Sequence, residues 1–118
     1  MTDRPLTATR HTHPRGATVL TVTGDLDHYT APELTGLLLE TPFGADVPVL
    51  IDVSGLTYCD STGITVFISA DRRAQEAGAR LVLVGLSADL MHVFRMIGLD
   101  QVFTFESTIE DAVGPREA

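Results

Sequence analysis

Two short segments hold the residues best suited to chemistry, and each stands where a strand should give way to a helix. The first is Gly24-Asp25-Leu26-Asp27-His28-Tyr29-Thr30; the second is Tyr58-Cys59-Asp60-Ser61-Thr62-Gly63-Ile64. Ser61 falls at or beside a helix start, where unpaired N–H groups and the helix dipole favour an added phosphate by about 0.3–1 kcal/mol. The same spacing suits Ser61 as a plain N-cap, a position where Ser is among the preferred residues. The two roles are compatible. Gly63 removes a side chain from the first turn, which would let another protein's backbone come close. Asp25 and Asp27 look like a carboxylate pair, yet alternate loop residues point apart unless the turn folds them together. For Asp27 we expect recognition or capping rather than acid–base work.

Other chemistries fit less well. Cys59-Asp60-Ser61-Thr62-Gly63 lacks the first glycine of a G-x-S-x-G nucleophile elbow, and His11, His13, His28 and His92 have no evident Ser–His–Asp context. A hydrolase using Ser61 would need His28 as its base. His11-Thr12-His13 reads as a polar hairpin turn rather than a metal chelate. The chain has no Lys, so a lysine-bearing phosphate loop is excluded. One cysteine, Cys59, rules out an intramolecular disulfide and a multi-thiolate metal site; it reads as a small buried apolar residue. Met91 and Met96 suit gap filling in the core or an apolar contact surface. No cofactor is expected.

These segments need elements to carry them. Leu6 to Arg10 alternates weakly and reads as a first strand, His11 to Gly16 as a turn, and Ala17 to Thr23 as a β-branched strand ended by Gly24. Thr30-Ala31-Pro32-Glu33 is a capping box, with Leu34, Leu37 and Leu38 facing inward behind it. Val49 to Val53 is apolar on both faces, as a central strand should be. A second helix runs from about Ser61 to Ala77, with Ile64, Phe67, Ile68 and Ala74 inward and Gly78 as its stop. Arg80 to Val84 is a buried strand. Ser87 opens a third helix with Leu90, Val93, Phe94 and Ile97 at i, i+3, i+4, i+7, stopped by Gly98. Val102 to Phe105 is a short strand, and Ser107-Thr108-Ile109-Glu110 boxes a last helix through Val113.

The order β-β-α-β-α-β-α-β-α implies an α/β fold with a mixed sheet: an antiparallel start followed by right-handed parallel crossovers. Loops after parallel strands gather at one sheet edge, so the two segments should be neighbours. At 118 residues the chain has the length of one domain, expected to span 1–118 with frayed tails at 1–5 and 114–118. An apolar fraction of 44% supports a core and excludes a disordered acidic chain. No apolar run reaches the roughly 18–20 residues of a membrane span, and Met1-Thr2-Asp3-Arg4-Pro5 is not a secretory signal. A cytoplasmic monomer is the expectation. The net charge is −8. Residues 1–16 contribute +2; residues 17–118, with fifteen acids against five Arg, contribute −10. Such a body repels phosphate backbones, which argues against nucleic acid and suits a basic protein partner.

Gly24-Asp25-Leu26-Asp27…Thr30-Ala31-Pro32-Glu33-Leu34 and Asp60-Ser61-Thr62-Gly63-Ile64 together resemble the STAS domain family and, within it, the bacterial anti-sigma factor antagonists. The family patterns G-E/D-L-D…T-A-x-x-L and D-S-S/T-G-L/I are both matched, in order, over essentially the whole chain. The resemblance implies a non-enzymatic switch. An anti-sigma factor of the histidine-kinase-like ATPase type would be bound by the unphosphorylated protein, freeing a sigma factor. That kinase would then phosphorylate Ser61, with Thr62 the second candidate, and a PP2C-type phosphatase would reverse the step. Asp25, Asp27, His28, Tyr29, Asp60, Ser61, Thr62 and Gly63 would form the contact surface. The alternative within the family is a regulatory STAS subunit of a membrane transporter or sensory complex, working without phosphorylation.

Overall fold

The β-branched run that opens the second strand and the apolar run Val49–Val53 become adjacent parallel strands at the centre of one five-stranded sheet. The computed structural model describes residues 5–114. Its elements are β1 (Thr7–Thr12), β2 (Thr18–Leu26), α1 (Ala31–Leu39), β3 (Val49–Cys59), α2 (Ser61–Glu76), β4 (Leu81–Val84), α3 (Ala88–Met96), β5 (Thr104–Glu106) and α4 (Ile109–Val113), with a 3-10 turn at Leu99–Gln101. The strands lie in the order β1-β2-β3-β4-β5. The hairpin pair β1–β2 is antiparallel and every other pair is parallel, so the α/β class and the mixed sheet are as expected.

Alternation along the strands divides the core into two layers. Leu20, Val22, Ile51, Val53 and Leu83 face α1, α2 and Phe94 of α3. Val19, Leu50, Val82 and Val84 face the other way, towards Ala112 of α4. Leu34 and Leu38 of α1 and Phe67, Ala70 and Ala74 of α2 are buried against the sheet. Each large apolar side chain so buried is worth roughly 1.5–3 kcal/mol. Ile64 and Ile68 flank this layer only partly buried.

Several boundaries differ from the sequence reading, each for a local reason. β1 runs on through His11 and Thr12, pairing them with Val19 and Thr18, so the turn begins at His13. β2 does not stop at Gly24: a register irregularity lets it continue to Leu26, with Gly24 at φ +93. A Cβ there would lie 2.2 Å from the Pro5 carbonyl oxygen, so both the backbone angle and the passing chain require glycine. β3 continues past Val53 to Cys59, pairing with β2 alone beyond Asp52, which explains its more polar second half. On α3 only Phe94 is buried; Val93 and Ile97, expected inward, are exposed, and so is Met96 at 72%. α4 is capped by Thr108 and not by Ser107. The expected tails lie mostly outside the described residues, but Leu6 is already buried and the Gly114 carbonyl accepts from Arg15.

The arginines gather at helix ends. Arg10 and Arg73 donate to the carbonyls of Glu40 (2.7 Å) and Leu38 (2.8 Å) at the close of α1. Arg80 donates to Ala112 (2.8 Å), and with Arg15 it closes α4. Cations there meet the negative end of each helix dipole and satisfy carbonyls that have no partner within the helix.

Candidate functional site

Parallel pairing of β2 with β3 sets the geometry of the site. Asp25 lies opposite Tyr58 and Leu26 opposite Cys59, so the chain leaves both strands side by side at one edge. The Asp60 N–H donates to the Leu26 carbonyl (3.1 Å), continuing the ladder into the junction. Asp60 then takes the extended N-cap conformation, with φ −94 and ψ −173. One carboxylate oxygen accepts from the N–H of Gly63 (3.0 Å) and the other from the N–H of His28 (3.2 Å). A single side chain therefore caps α2 and ties the β2–α1 loop to it.

The capping role that the spacing allowed for Ser61 thus belongs to Asp60. Ser61 is the first residue of α2 and is exposed. Its carbonyl accepts from the Thr65 hydroxyl (2.9 Å), which fixes its backbone within the helix, while its own hydroxyl has no hydrogen-bond partner among the described residues. Thr62 is half-buried. Gly63 is buried: a Cβ there would lie 2.7 Å from Leu26 Cγ and 2.9 Å from Cys59 Sγ. Its missing side chain makes room for the protein's own core, which corrects the expectation of an open approach for a partner's backbone.

The β2–α1 loop is knit by its own residues. Asp27 accepts from the N–H groups of Tyr29 (2.9 Å) and Thr30 (3.0 Å), folding the turn and ending it at α1. Thr30 does not cap α1 with its side chain; its hydroxyl donates to the Asp25 carbonyl (2.8 Å) and accepts from the Asp27 N–H (2.9 Å). The expected box fails because Asp27 already serves that turn. Asp25 accepts from the Thr57 hydroxyl (2.6 Å), so its carboxylate is engaged across to β3 while that of Asp27 folds its own turn. His28 and Tyr29 meet edge to face, 5.5 Å between ring centres, and Tyr29 is 79% exposed. No hydrogen bond joins the His28 ring to Ser61 among the described residues, which leaves the hydrolase arrangement without its base.

Seven of the eight expected contact residues share this edge at or near the surface, and Gly63 lies beneath it. Tyr58, half exposed beside Asp25, was not singled out from sequence. Its signal was the continued alternation of β3. Cys59 is half-buried, not fully buried; burial, reinforced by the Asp60 carboxylate, pushes its thiol up to about 12 and keeps it protonated at neutral pH. No group of three or more His, Cys, Asp or Glu side chains able to hold a metal occurs among the described residues. From residue 16 to residue 71 the chain has eight carboxylates and neither Arg nor Lys. That span includes the whole site.

The site is thus a capped, serine-led helix at the edge of a sheet of four parallel strands and one antiparallel hairpin strand. The family model described as "Mlab, STAS domain" matches residues 9–106, and the chain belongs to the STAS domain family. It is 33% identical over 86 residues, 73% of this chain and 75% of its relative, to the anti-sigma-B factor antagonist of Listeria monocytogenes. Among solved structures it resembles an anti-sigma factor antagonist from Mycobacterium paratuberculosis, with TM-score 0.76 and 22% identity over 92% of this chain and 91% of that one. It also resembles the Bacillus cell fate determinant SpoIIAA in its phosphorylated form, with TM-score 0.69 and 21% identity over 91% and 96%.

Proposed function

We propose that this protein is an anti-sigma factor antagonist that works in the cytoplasm as a partner switch. Unphosphorylated, it docks on an anti-sigma factor of the histidine-kinase-like ATPase type and so releases a sigma factor. The kinase transfers the γ-phosphoryl group of ATP to the Ser61 oxygen, displacing ADP, and a PP2C-type phosphatase hydrolyses the ester. This chain supplies the acceptor and the surface and performs no catalysis. The relative at 33% identity, named an antagonist of this kind, supports the reading. The observation that carries it is the exposed Ser61 hydroxyl at the head of a helix that another residue caps. Ser61 is favoured over Thr62 because it is the more open of the two.

The physics of such a switch is local. A phosphate adds about −1.5 to −2 charges at pH 7. The N-terminus of α2 tolerates that charge, and the fold is kept because Ser61 does not cap the helix. Against a partner, the same phosphate is bulky and hydrated, and it stands beside Asp60 in a stretch of sequence without Arg or Lys. A loss of about 2.7 kcal/mol already weakens binding a hundredfold. The test is incubation with ATP and each histidine-kinase-like ATPase encoded in the source genome, with the modified residue mapped by mass spectrometry. Phosphate on Ser61, lost in Ser61→Ala, is the expected result; undiminished modification of Ser61→Ala overturns the assignment.

A further inference from the structure

The chain has two tyrosines and no tryptophan, and both tyrosines are exposed at the Ser61 edge. Its phenylalanines do the reverse: Phe67, Phe94 and Phe103 are buried, and Phe43 and Phe105 pack against the core. Tyr58, 50% exposed, is carried by an irregularity in the sheet. Gly24 pairs with Leu56 and Asp25 with Tyr58, so one extra residue of β3, Thr57, is fitted between them. Such a bulge breaks alternation and re-aims the side chains beside it. Thr57 and Tyr58 are both exposed here, where a regular strand would turn one of them inward. The bulge is pinned, because the Thr57 hydroxyl donates to the Asp25 carboxylate of β2 (2.6 Å). Tyr58 itself has no side-chain hydrogen bond or ring contact among the described residues. A large ring held outward and unused by the fold suits a binding anchor. Resting on the function proposed above, we infer that Tyr58 anchors the ATPase partner, presented by the Thr57–Asp25 pin and covered by an arginine of that partner.

Position and charge choose that occupant. Tyr58 stands three residues before Ser61, and three residues of chain span at most about 11 Å. An ordinary interface covers about 800 Å² on each partner, so a molecule seated on the Ser61 hydroxyl reaches Tyr58 as well. The stretch 16–71 holds eight carboxylates and neither Arg nor Lys, and the surface that complements it is basic. A second copy of this chain, brought edge to edge, would set the same acidic stretch against itself. Of the basic side chains, Arg is the one that both stacks on an aromatic face and forks to a carboxylate. Tyr58 offers the face, and Asp25 lies opposite it in register.

The experiment uses the full chain and the histidine-kinase-like ATPase that binds wild type, measuring affinity by calorimetry and the KM and kcat of Ser61 phosphorylation. Tyr58→Ala should weaken binding by about 30-fold and raise KM in step, with kcat and melting temperature unchanged. Tyr58→Phe, which keeps the ring, should stay within about threefold of wild type. Thr57→Val, which removes the pin, should lose about fivefold. Val102→Ala, at an exposed apolar residue beyond α3, should leave affinity as it was. Wild-type affinity in Tyr58→Ala, together with a loss in Ser61→Asp, overturns the anchor and leaves the proposed function standing. A fall in kcat at unchanged KM also overturns it, because Tyr58 would then position Ser61 rather than hold the partner. Failure of every such ATPase to bind wild type overturns both. Photoreactive benzoylphenylalanine at position 58 should cross-link to an Arg-bearing segment of the ATPase; a cross-link to a segment without Arg, or to a second copy of this chain, contradicts the assignment.

Discussion

The two ends of the sheet are built from opposite chemistry. At the carboxyl ends of β2 and β3, Asp25, Asp27 and Asp60 organise loops by accepting hydrogen bonds, within a stretch, 16–71, whose sequence has no Arg or Lys. At the far end, Arg10, Arg73, Arg80 and Arg15 close α1 and α4 by donating to carbonyls. Both arrangements suit the helix dipole, with acids at helix starts and cations at helix finishes. They differ in what is left over. The arginine end satisfies its own backbone and holds the fold. The aspartate end leaves an exposed hydroxyl amid negative charge, an arrangement that stability does not require.

Substitutions at the two ends should therefore separate stability from binding. The largest effect is expected for Gly63→Ala, whose Cβ would press on Leu26 and Cys59; a loss of about 2–3 kcal/mol in urea unfolding would mark Gly63 as a packing residue. An unchanged unfolding midpoint would return it to the surface role. Asp60→Ala removes a cap and the bond to His28, for about 1–2 kcal/mol, and should also weaken partner binding because the β2–α1 loop loses its tie. Arg73→Ala, at the opposite end, gives up its bond to Leu38 and its stacking on the Phe43 ring, 4.7 Å away. It should cost about 1 kcal/mol while Ser61 is phosphorylated at the wild-type rate. A fall in that rate would break the division between the ends.

The smallest effect concerns Asp71, a carboxylate buried in α2 whose pKa burial raises above the ordinary 3.8, against an opposing hydrogen bond from Gln75. The folded state then holds a proton that the unfolded state has lost, so stability is greatest below pH 3.8 in this respect and declines as pH rises through the folded value. Asp71→Asn keeps an acceptor for Gln75 and removes the charge. It should flatten that part of the stability profile and raise the melting temperature at pH 7; a lowered melting temperature would show that the ionised form is the better fit.

Much of this was legible in the sequence because periodicity and paired motifs report burial and order directly. Leu34, Leu38, Phe67 and Ala74 are buried where helical spacing put them, and adjacent parallel strands brought Asp27 and Asp60 to one edge. What escaped depends on partners distant in the chain. Ser61 and Asp60 are both good caps by type, and the choice fell to Asp60 because its second oxygen also reaches His28. Gly24 reads as a stop, yet the strand passes through it under the Pro5 carbonyl. Val93 and Ile97 have core spacing, but α3 lies over the narrow β4–β5 margin, where only Phe94, packed near Phe103 and Phe105, finds cover.

The most direct test compares the protein carrying phosphate on Ser61 with the unmodified protein in two readings, affinity for its ATPase partner and melting temperature. A loss of affinity of about a hundredfold, with melting temperatures within about 2 °C, is the predicted result. Equal affinities, or a lost affinity that comes with a collapse of the melting temperature, would contradict a switch that acts by local exclusion at an intact helix end.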